Sequence, residues 1–272
     1  MMMRNHENGP ICVVEGKSDY GALVEHLDEP VVKLIVANGR QNVQGAMQIV
    51  AISELAGVFA VIDSDLDAFR GVVNEIPAVF YSEMHDLEAD IFLLPRIADR
   101  IIHNYADSDR LKSHLGELGA IRPSKHVVQM ASVLGLVRYI SVANRIGLNL
   151  SEIPYNKVLS KDKLSLDYKS LARIILGKSK KCTINYDQIL NLITICDEFD
   201  HISEVLCRGH DLCGLTAACL RSWWGANVPT DTIERTLRSA LNCGELLKLN
   251  VRAQVAEWAE AAGHKVWDCD AA

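Results

Sequence analysis

The sequence has no Cys-x-x-Cys pair, no internal repeat and no low-complexity tract among its 272 residues. The first absence removes zinc-ribbon spacing, and the others remove solenoids and disordered linkers. No apolar run approaches the ~18–20 residues of a membrane span, because charges interrupt the hydrophobic stretches. The opening residues Met1 to Pro10 are polar, with Arg4, His6 and Glu7, and lack the apolar centre of a secretory signal. A soluble, cytoplasmic chain without a membrane partner is therefore expected. What is present is ordinary for a globular protein: 49% hydrophobic and 23% charged residues. That balance excludes collagen-like, coiled-coil and disordered classes. The length suffices for one large core or two modest ones.

An excess of positive charge is also missing. The net charge of −7 argues at first against nucleic acid as a partner. The average hides an asymmetry. Residues 1–105 carry 7 basic and 16 acidic side chains, whereas residues 157–181 carry 8 basic and 2 acidic. Local charge, not the mean, decides what a surface attracts. Eight cysteines are scattered at 12, 182, 196, 207, 213, 219, 243 and 269, several in apolar runs. Reduced core thiols of a cytosolic protein are expected. The spacing Cys207-x2-His210-x2-Cys213 lacks a fourth ligand and runs into a helical pattern, which speaks against zinc there.

The first hundred residues alternate between short buried runs and helical spacing. Ile11–Val14 is continuous and apolar and ends in Glu15-Gly16. Helical spacing follows over 18–27, and Val31–Ala37 is a second β-rich run closed by Asn38-Gly39. Asn42 is placed to cap a helix carrying Val43, Ala46, Met47, Val50 and Leu55. Val58–Ile62 ends in Asp63-Ser64-Asp65, and Ala78–Tyr81 precedes Met84-His85-Asp86-Leu87-Glu88. A helix then runs to about Leu94 and stops at Pro95. Alternation with doubly buried strands predicts a parallel α/β sheet. Beyond Arg96 the chain reads as helices over 127–146, 170–176, 186–199, 212–223, 230–242 and 250–262, with 152–181 a polar, lysine-rich loop or helical pair. Three parts are expected: an α/β core over 1–95, a helical region over 96–200, and a helical element over 201–272 that packs back on the core.

Ligands of open α/β sheets bind at the carboxyl ends of the strands. The acids collect there: Glu15 after the first strand, Asp63, Asp65 and Asp67 after the third, Asp86 and Glu88 after the fourth. Crowded like charges repel, and burying them is costly. A divalent cation offsets that cost, and Mg²⁺ (or Mn²⁺) suits oxygen donors with open positions. Such an ion activates water and stabilises a leaving oxygen in phosphoryl chemistry. Asp19 and Asp86 equally suit helix capping.

Glu15-Gly16-Lys17-Ser18-Asp19 at a strand end, Asn38-Gly39 after a second strand and Asp63-Ser64-Asp65-Leu66-Asp67 after a third resemble a Toprim domain, the catalytic fold of topoisomerases, primases and OLD-type nucleases. Met84-His85-Asp86-Leu87-Glu88 and the later Arg208-Gly209-His210-Asp211-Leu212 resemble the Toprim effector subunit of PARIS-type anti-phage defence systems. The resemblance is strong over the first 90 residues and weaker after 200. It implies a Rossmann-like parallel sheet with a large helical region. It also implies an Mg²⁺-dependent nuclease acting on RNA (tRNA included) or DNA, restrained by an ABC-type ATPase partner until phage infection. By this match Glu15, Asp63 and Asp65 are metal ligands and catalytic groups, and Asp67 an accessory ligand. Glu88 joins the metal and catalytic set as the carboxylate that begins the following helix. His210 stands where OLD nucleases place a lysine and serves as acid/base or phosphate contact, or else packs or caps a helix. His85 orients Glu88 or fills the strand exit.

The positive stretch offers Lys157, Lys161, Lys163, Lys178, Lys180 and Lys181, with Lys169 and Arg173, to a phosphate backbone. The commoner role of such a run is a solvated face. Tyr155 and Tyr168 either stack on bases or pack locally. Trp223 and Trp224 suit core or subunit interface, which leaves a homodimer open. Two other classes compete with the nuclease. One is a catalytically silent binding subunit of an ATPase complex. The other is a metal-dependent phosphatase acting on a small molecule.

Overall fold

Two groups of elements are present, an α/β unit and a helical one. The computed structural model describes residues 9–28, 31–70, 76–117, 122–160, 163–199 and 204–269. The chain divides into two compact units, Met1–Leu94 with Arg238–Ala272, and Pro95–Leu237. Within the expected element 201–272, the division falls between 237 and 238.

The first unit is built on four strands, β1 (Ile11–Val14), β2 (Lys33–Val36), β3 (Val58–Ile62) and β4 (Val79–Tyr81), all parallel in the order β2-β1-β3-β4. Register pairs Ile11 with Lys33 on one side and with Val58 on the other. β3 is buried along its whole length because both faces are covered. Val13, Val58, Ala60, Ile62 and Val79 pack against Val43 and Met47 of α2 (Arg40–Ile52). On the opposite side of the pleat, Phe59 meets Trp258 of α13 (Asn250–Ala261), ring centroids 4.9 Å apart. Period-2 side-chain alternation thus splits one apolar run between two layers.

The connections are helical. α1 (Lys17–Leu23) runs on into a 3₁₀ turn over Val24–His26. α2 begins at Arg40, with Gly39 as its cap residue at φ 121°, a conformation that favours glycine. Asn42 is therefore not the cap. It lies in the first turn, and its Nδ2 donates to the carbonyls of Ala37 and Asn38 at 2.8 and 3.2 Å. The short helix α3 (Asp67–Arg70) follows β3, and α4 (Leu87–Leu93) follows β4 with Asp86 as its cap, accepting from Ala89 N at 2.8 Å. The short α12 (Cys243–Leu246) precedes α13.

The second unit consists of α5 (Ile97–Tyr105), α6 (Ser108–Glu117), α7 (Pro123–Ala143), α8 (Tyr168–Lys178), α9 (Tyr186–Asp197), α10 (Gly209–Ser222) and most of α11 (Thr230–Ser239). By length and composition alone α7 is long and apolar enough to cross a membrane, contrary to the expectation that no stretch would be. It is instead largely a core helix, packed by α5, α9 and α10, with His126, Ser132 and Ser141 buried among its apolar side chains. Two glycines permit close approach. A Cβ on Gly135 would lie 2.3 Å from the Leu206 carbonyl oxygen, and one on Gly214 would lie 2.1 Å from the Tyr155 ring.

Tyr155 is consequently a buried packing residue. Its hydroxyl donates to Asp211 Oδ1 at 2.6 Å, and Arg138 Nη2 reaches Asp211 Oδ2 at 2.7 Å. It does not present a stacking face to bases. Trp224 is fully buried with its Nε1 donating to His114 Nδ1 at 3.1 Å, and Trp223 Nε1 donates to the Ser160 carbonyl at 3.2 Å. The cysteine expectation needs one correction. Cys243 and Cys269 form a disulfide, their Cα atoms being 5.3 Å apart and so within bridging reach. The other six are not disulfide-bonded, and five of them are buried.

Candidate functional site

The strand order places a topological switch point between β1 and β3, since the chain leaves β1 toward β2 on one side and returns to β3 on the other. Such a point opens a crevice beyond the carboxyl ends of the two strands. Glu15 and Asp63 stand at those ends. Asp63 N donates to Glu15 Oε1 at 3.1 Å, and Leu87 N donates to Asp63 Oδ1 at 3.2 Å. The exits of β1, β3 and β4 are thereby tied through two carboxylates.

Further bonds fix the loops. Ser64 N donates to Ser82 Oγ at 2.9 Å, and Ser64 Oγ donates to the Ser82 carbonyl. Asp90 accepts from Glu83 N at 3.0 Å and from Met84 N at 2.7 Å, which holds the β4–α4 loop against its own helix. Asp19, on α1, accepts from Gly16 N at 2.8 Å through Oδ2, while its Oδ1 is buried with no hydrogen-bond partner.

Electrostatically the group is crowded. Burial pushes the Asp63 carboxyl up to about 9, and Asp19, Asp86, Glu15 and Glu88 add to the rise. Burial also lifts Glu88 to about 7, with Asp86 and Asp19 raising it further and Arg238 opposing. Glu15 and Asp19 are raised by burial too, each partly offset by a backbone N–H. Each group is shifted toward its neutral form because ionisation would put like charges together away from water. Perturbation of this kind clusters at functional sites, although structural networks produce it as well.

Two arginines enter the group. Arg40 Nη1 pairs with Asp65 Oδ2 at 2.7 Å and Nη2 with Asp67 Oδ2 at 2.6 Å. Arg238, where the chain re-enters the first unit, reaches Glu88 Oε1 at 3.1 Å. Of the expected ligands, Glu15 and Glu88 are charge neighbours of Asp63, while Glu88, Asp65 and Asp67 are each engaged by a guanidinium. Asp65 has φ 50°, a left-handed conformation that aspartate tolerates, and its N–H donates to the His85 carbonyl at 2.7 Å. His85 is buried with Nδ1 3.5 Å from Asp86 Oδ2 and 3.9 Å from Asp65 Oδ1. Its ionic neighbours are thus these two aspartates rather than Glu88.

His210 belongs to the helical unit, in the first turn of α10, where Nδ1 lies 2.7 Å from Glu234 Oε1. That hydrogen bond raises its pKa, against the opposing effect of burial. The Cys207 and Cys213 thiols of the spacing noted above are buried. Lys157, Lys163, Lys180 and Lys181 are exposed, and Lys178 Nζ donates to the Glu152 carbonyl at 3.1 Å. Lys161 lies outside the described residues. The lysine-rich segment contains a 3₁₀ turn over Tyr155–Lys157 and the single helix α8 rather than a helical pair.

Sequence reasoning missed Arg40 and Arg238 and gave Asp19 only a capping role. Arg40 directly follows the Asn38-Gly39 turn, so a basic residue at a strand exit was the available signal. Arg238 meets a partner 150 residues away and left no local trace. Among protein-family models and curated proteins, none matches the chain.

Proposed function

We propose that the chain is a metal-dependent nuclease of the Toprim class, its catalytic centre in the first unit, acting as the toxic effector of an anti-phage defence system under an ABC-type ATPase partner. The observation that carries the catalytic part is Asp63, held up to about 9 among four other carboxyl groups at a strand switch point. By type the donors suit a hard cation, since all are oxygens and Asp19 Oδ1 is buried without a partner; among the described residues no three carboxylate donors lie within 4.8 Å of one another, so the ion would have to draw them together. Glu15, Asp63 and Glu88 would hold Mg²⁺ or Mn²⁺. Bound there, the cation supplies Lewis-acid polarisation of a phosphoryl oxygen and a water of lowered pKa.

The protein's own groups do the rest. The Asp63 N–H bond to Glu15 keeps the two strand exits in register. Leu87 N orients the Asp63 carboxyl. Arg40 holds Asp65 and Asp67, and so sets how many carboxylates are left to face a cation. The exposed lysines Lys157, Lys163, Lys180 and Lys181 supply the phosphate-attracting charge that an acidic crevice lacks.

The same arginines favour a second reading, a silent binding subunit of an ATPase complex. Protein charge on Asp65, Asp67 and Glu88 neutralises acids that a working metal site leaves open. One experiment separates the two. Plasmid DNA, total RNA and tRNA are incubated with the protein in Mg²⁺ or Mn²⁺, with and without the ATPase, beside Glu15→Ala and Asp63→Ala. The nuclease reading expects metal-dependent cleavage of one polymer that both variants lose. Cleavage undiminished in the variants removes the assigned site, and no cleavage under any condition favours the binding subunit.

A further inference from the structure

The disulfide partners do not sit alone. His26, Cys243 and Cys269 each offer a donor atom, and the three atoms lie within 4.8 Å of one another. Among the described residues, no other set of three histidine, cysteine or acidic groups meets this condition. All three belong to the first unit. His26 ends the 3₁₀ turn after α1, Cys243 opens α12 after its Asn242 cap, and Cys269 follows an antiparallel bridge between Leu27 and Trp267.

The donor set is that of a soft metal site, whose two sulfurs are joined in the disulfide and must separate before they can hold an ion. Bonds of ~2.0–2.1 Å to nitrogen and ~2.3 Å to sulfur at tetrahedral angles require an N···S separation of about 3.5 Å and an S···S separation of about 3.8 Å. His26 Nδ1 is 3.5 Å from Cys269 Sγ. The backbone holds the site from both sides: Asp268 N donates to the His26 carbonyl at 2.9 Å, and Asp28 N to the Val266 carbonyl at 2.9 Å. His26 and Cys269 are buried and Cys243 is exposed, so a fourth position opens to solvent on the Cys243 side.

We infer that, in its reduced form, the chain binds one Zn²⁺ through His26 Nδ1, Cys243 Sγ and Cys269 Sγ, with water in the fourth position. Reaching that form breaks the S–S bond. Two electrons from a thiol reductant, with two protons, convert the disulfide to two thiols while the reductant becomes a disulfide. Binding Zn²⁺ then displaces both thiol protons to solvent, and the neutral imidazole contributes its lone pair. The disulfide and the metal are mutually exclusive, since each uses the same two sulfurs. This site uses none of the carboxylates assigned to catalysis and stands independently of the nuclease reading.

The test uses the full chain, reduced by a phosphine that is removed before titration with Co²⁺ as a spectroscopic probe. The expected result is one Co²⁺ per chain, with an intense thiolate-to-metal charge-transfer band and tetrahedral visible bands. Zn²⁺ displaces the probe, and the oxidised protein shows neither band. Cys269→Ser and His26→Ala weaken binding ~100-fold or more, whereas Cys213→Ser leaves it unchanged. A second readout needs no variant: Zn²⁺ protects Cys243 of the reduced wild type from alkylation, and a chelator restores its reactivity. The inference is overturned if the reduced, folded wild type gives no charge-transfer band, if Cys269→Ser retains it, if the oxidised chain binds equally, or if Cys243 alkylates at the same rate with and without Zn²⁺.

Discussion

Two carboxylates, one in each unit, are removed from water in opposite ways. Asp211, 1% exposed in the helical unit, has an arginine on one oxygen and a tyrosine hydroxyl on the other. The Asp63 carboxyl, at the end of β3, accepts one backbone N–H, from Leu87, but is surrounded by Asp19, Asp86, Glu15 and Glu88. The first carboxylate has a donor on each oxygen, an arrangement of the kind that fixes one packing. The second is a local conflict of charge that a fold has no need to keep for stability. Natural sequences are consistent across levels except where function demands otherwise. The contrast therefore separates architecture from chemistry within one molecule.

The largest expected effect is on cleavage. Glu15→Ala removes a donor and the acceptor for Asp63 N, and is expected to lower nuclease turnover at least ~100-fold, measured on whichever polymer the wild type cuts. Stability should divide the two acids the other way. Asp211→Ala leaves Arg138 buried without its partner and costs about 3–5 kcal/mol in denaturant melts. Asp63→Asn, which puts a neutral side chain where the crowd already opposes ionisation, should leave the midpoint unchanged at acid pH and raise it as pH climbs, the full rise being reached above about pH 9. The comparison breaks if Asp63→Asn destabilises as much as Asp211→Ala.

A smaller effect is set by pH. Asp63 and Glu88 have pKa values raised in the folded state, to about 9 and about 7. Between the ordinary carboxyl value of ~4 and those values, the folded chain holds more protons than the unfolded chain, so stability falls as pH rises. The metal-free protein should lose thermal stability from pH 5 to pH 9, and Asp63→Asn should flatten that slope. Smallest is the effect on substrate attraction. Lys180→Ala and Lys181→Ala, both at exposed positions, should weaken nucleic-acid binding without regard to sequence and reduce the salt slope by ~1 each. Lys178→Ala should do less, since its ammonium is already bonded to a carbonyl.

The four strands were legible because each is a short apolar run bounded by turn residues, and β1, β3 and β4 end within a residue of the expected limits. The helices α5 and α6 were not. α5 begins just after Pro95, which reads as a stop, and α6 is mostly polar with Leu111 and His114 as its buried side chains. The carboxylates of the site were readable because strand ends are local features. The arginines were not, since Arg40 meets Asp65 across 25 residues and Arg238 meets Glu88 across 150. The Cys243–Cys269 bridge and its histidine were hidden for the same reason: spacing along the chain says nothing about which cysteines meet.

The central claim is that the acids around Asp63 are crowded because they hold a divalent cation. A titration with Mn²⁺, following the free ion by electron paramagnetic resonance at pH 8, tests it most directly. Wild-type protein is expected to bind the ion and Asp63→Asn to bind it at least ~10-fold more weakly, the change expected when one carboxylate ligand is lost. Equal binding by wild type and variant, or none by either, would contradict the account.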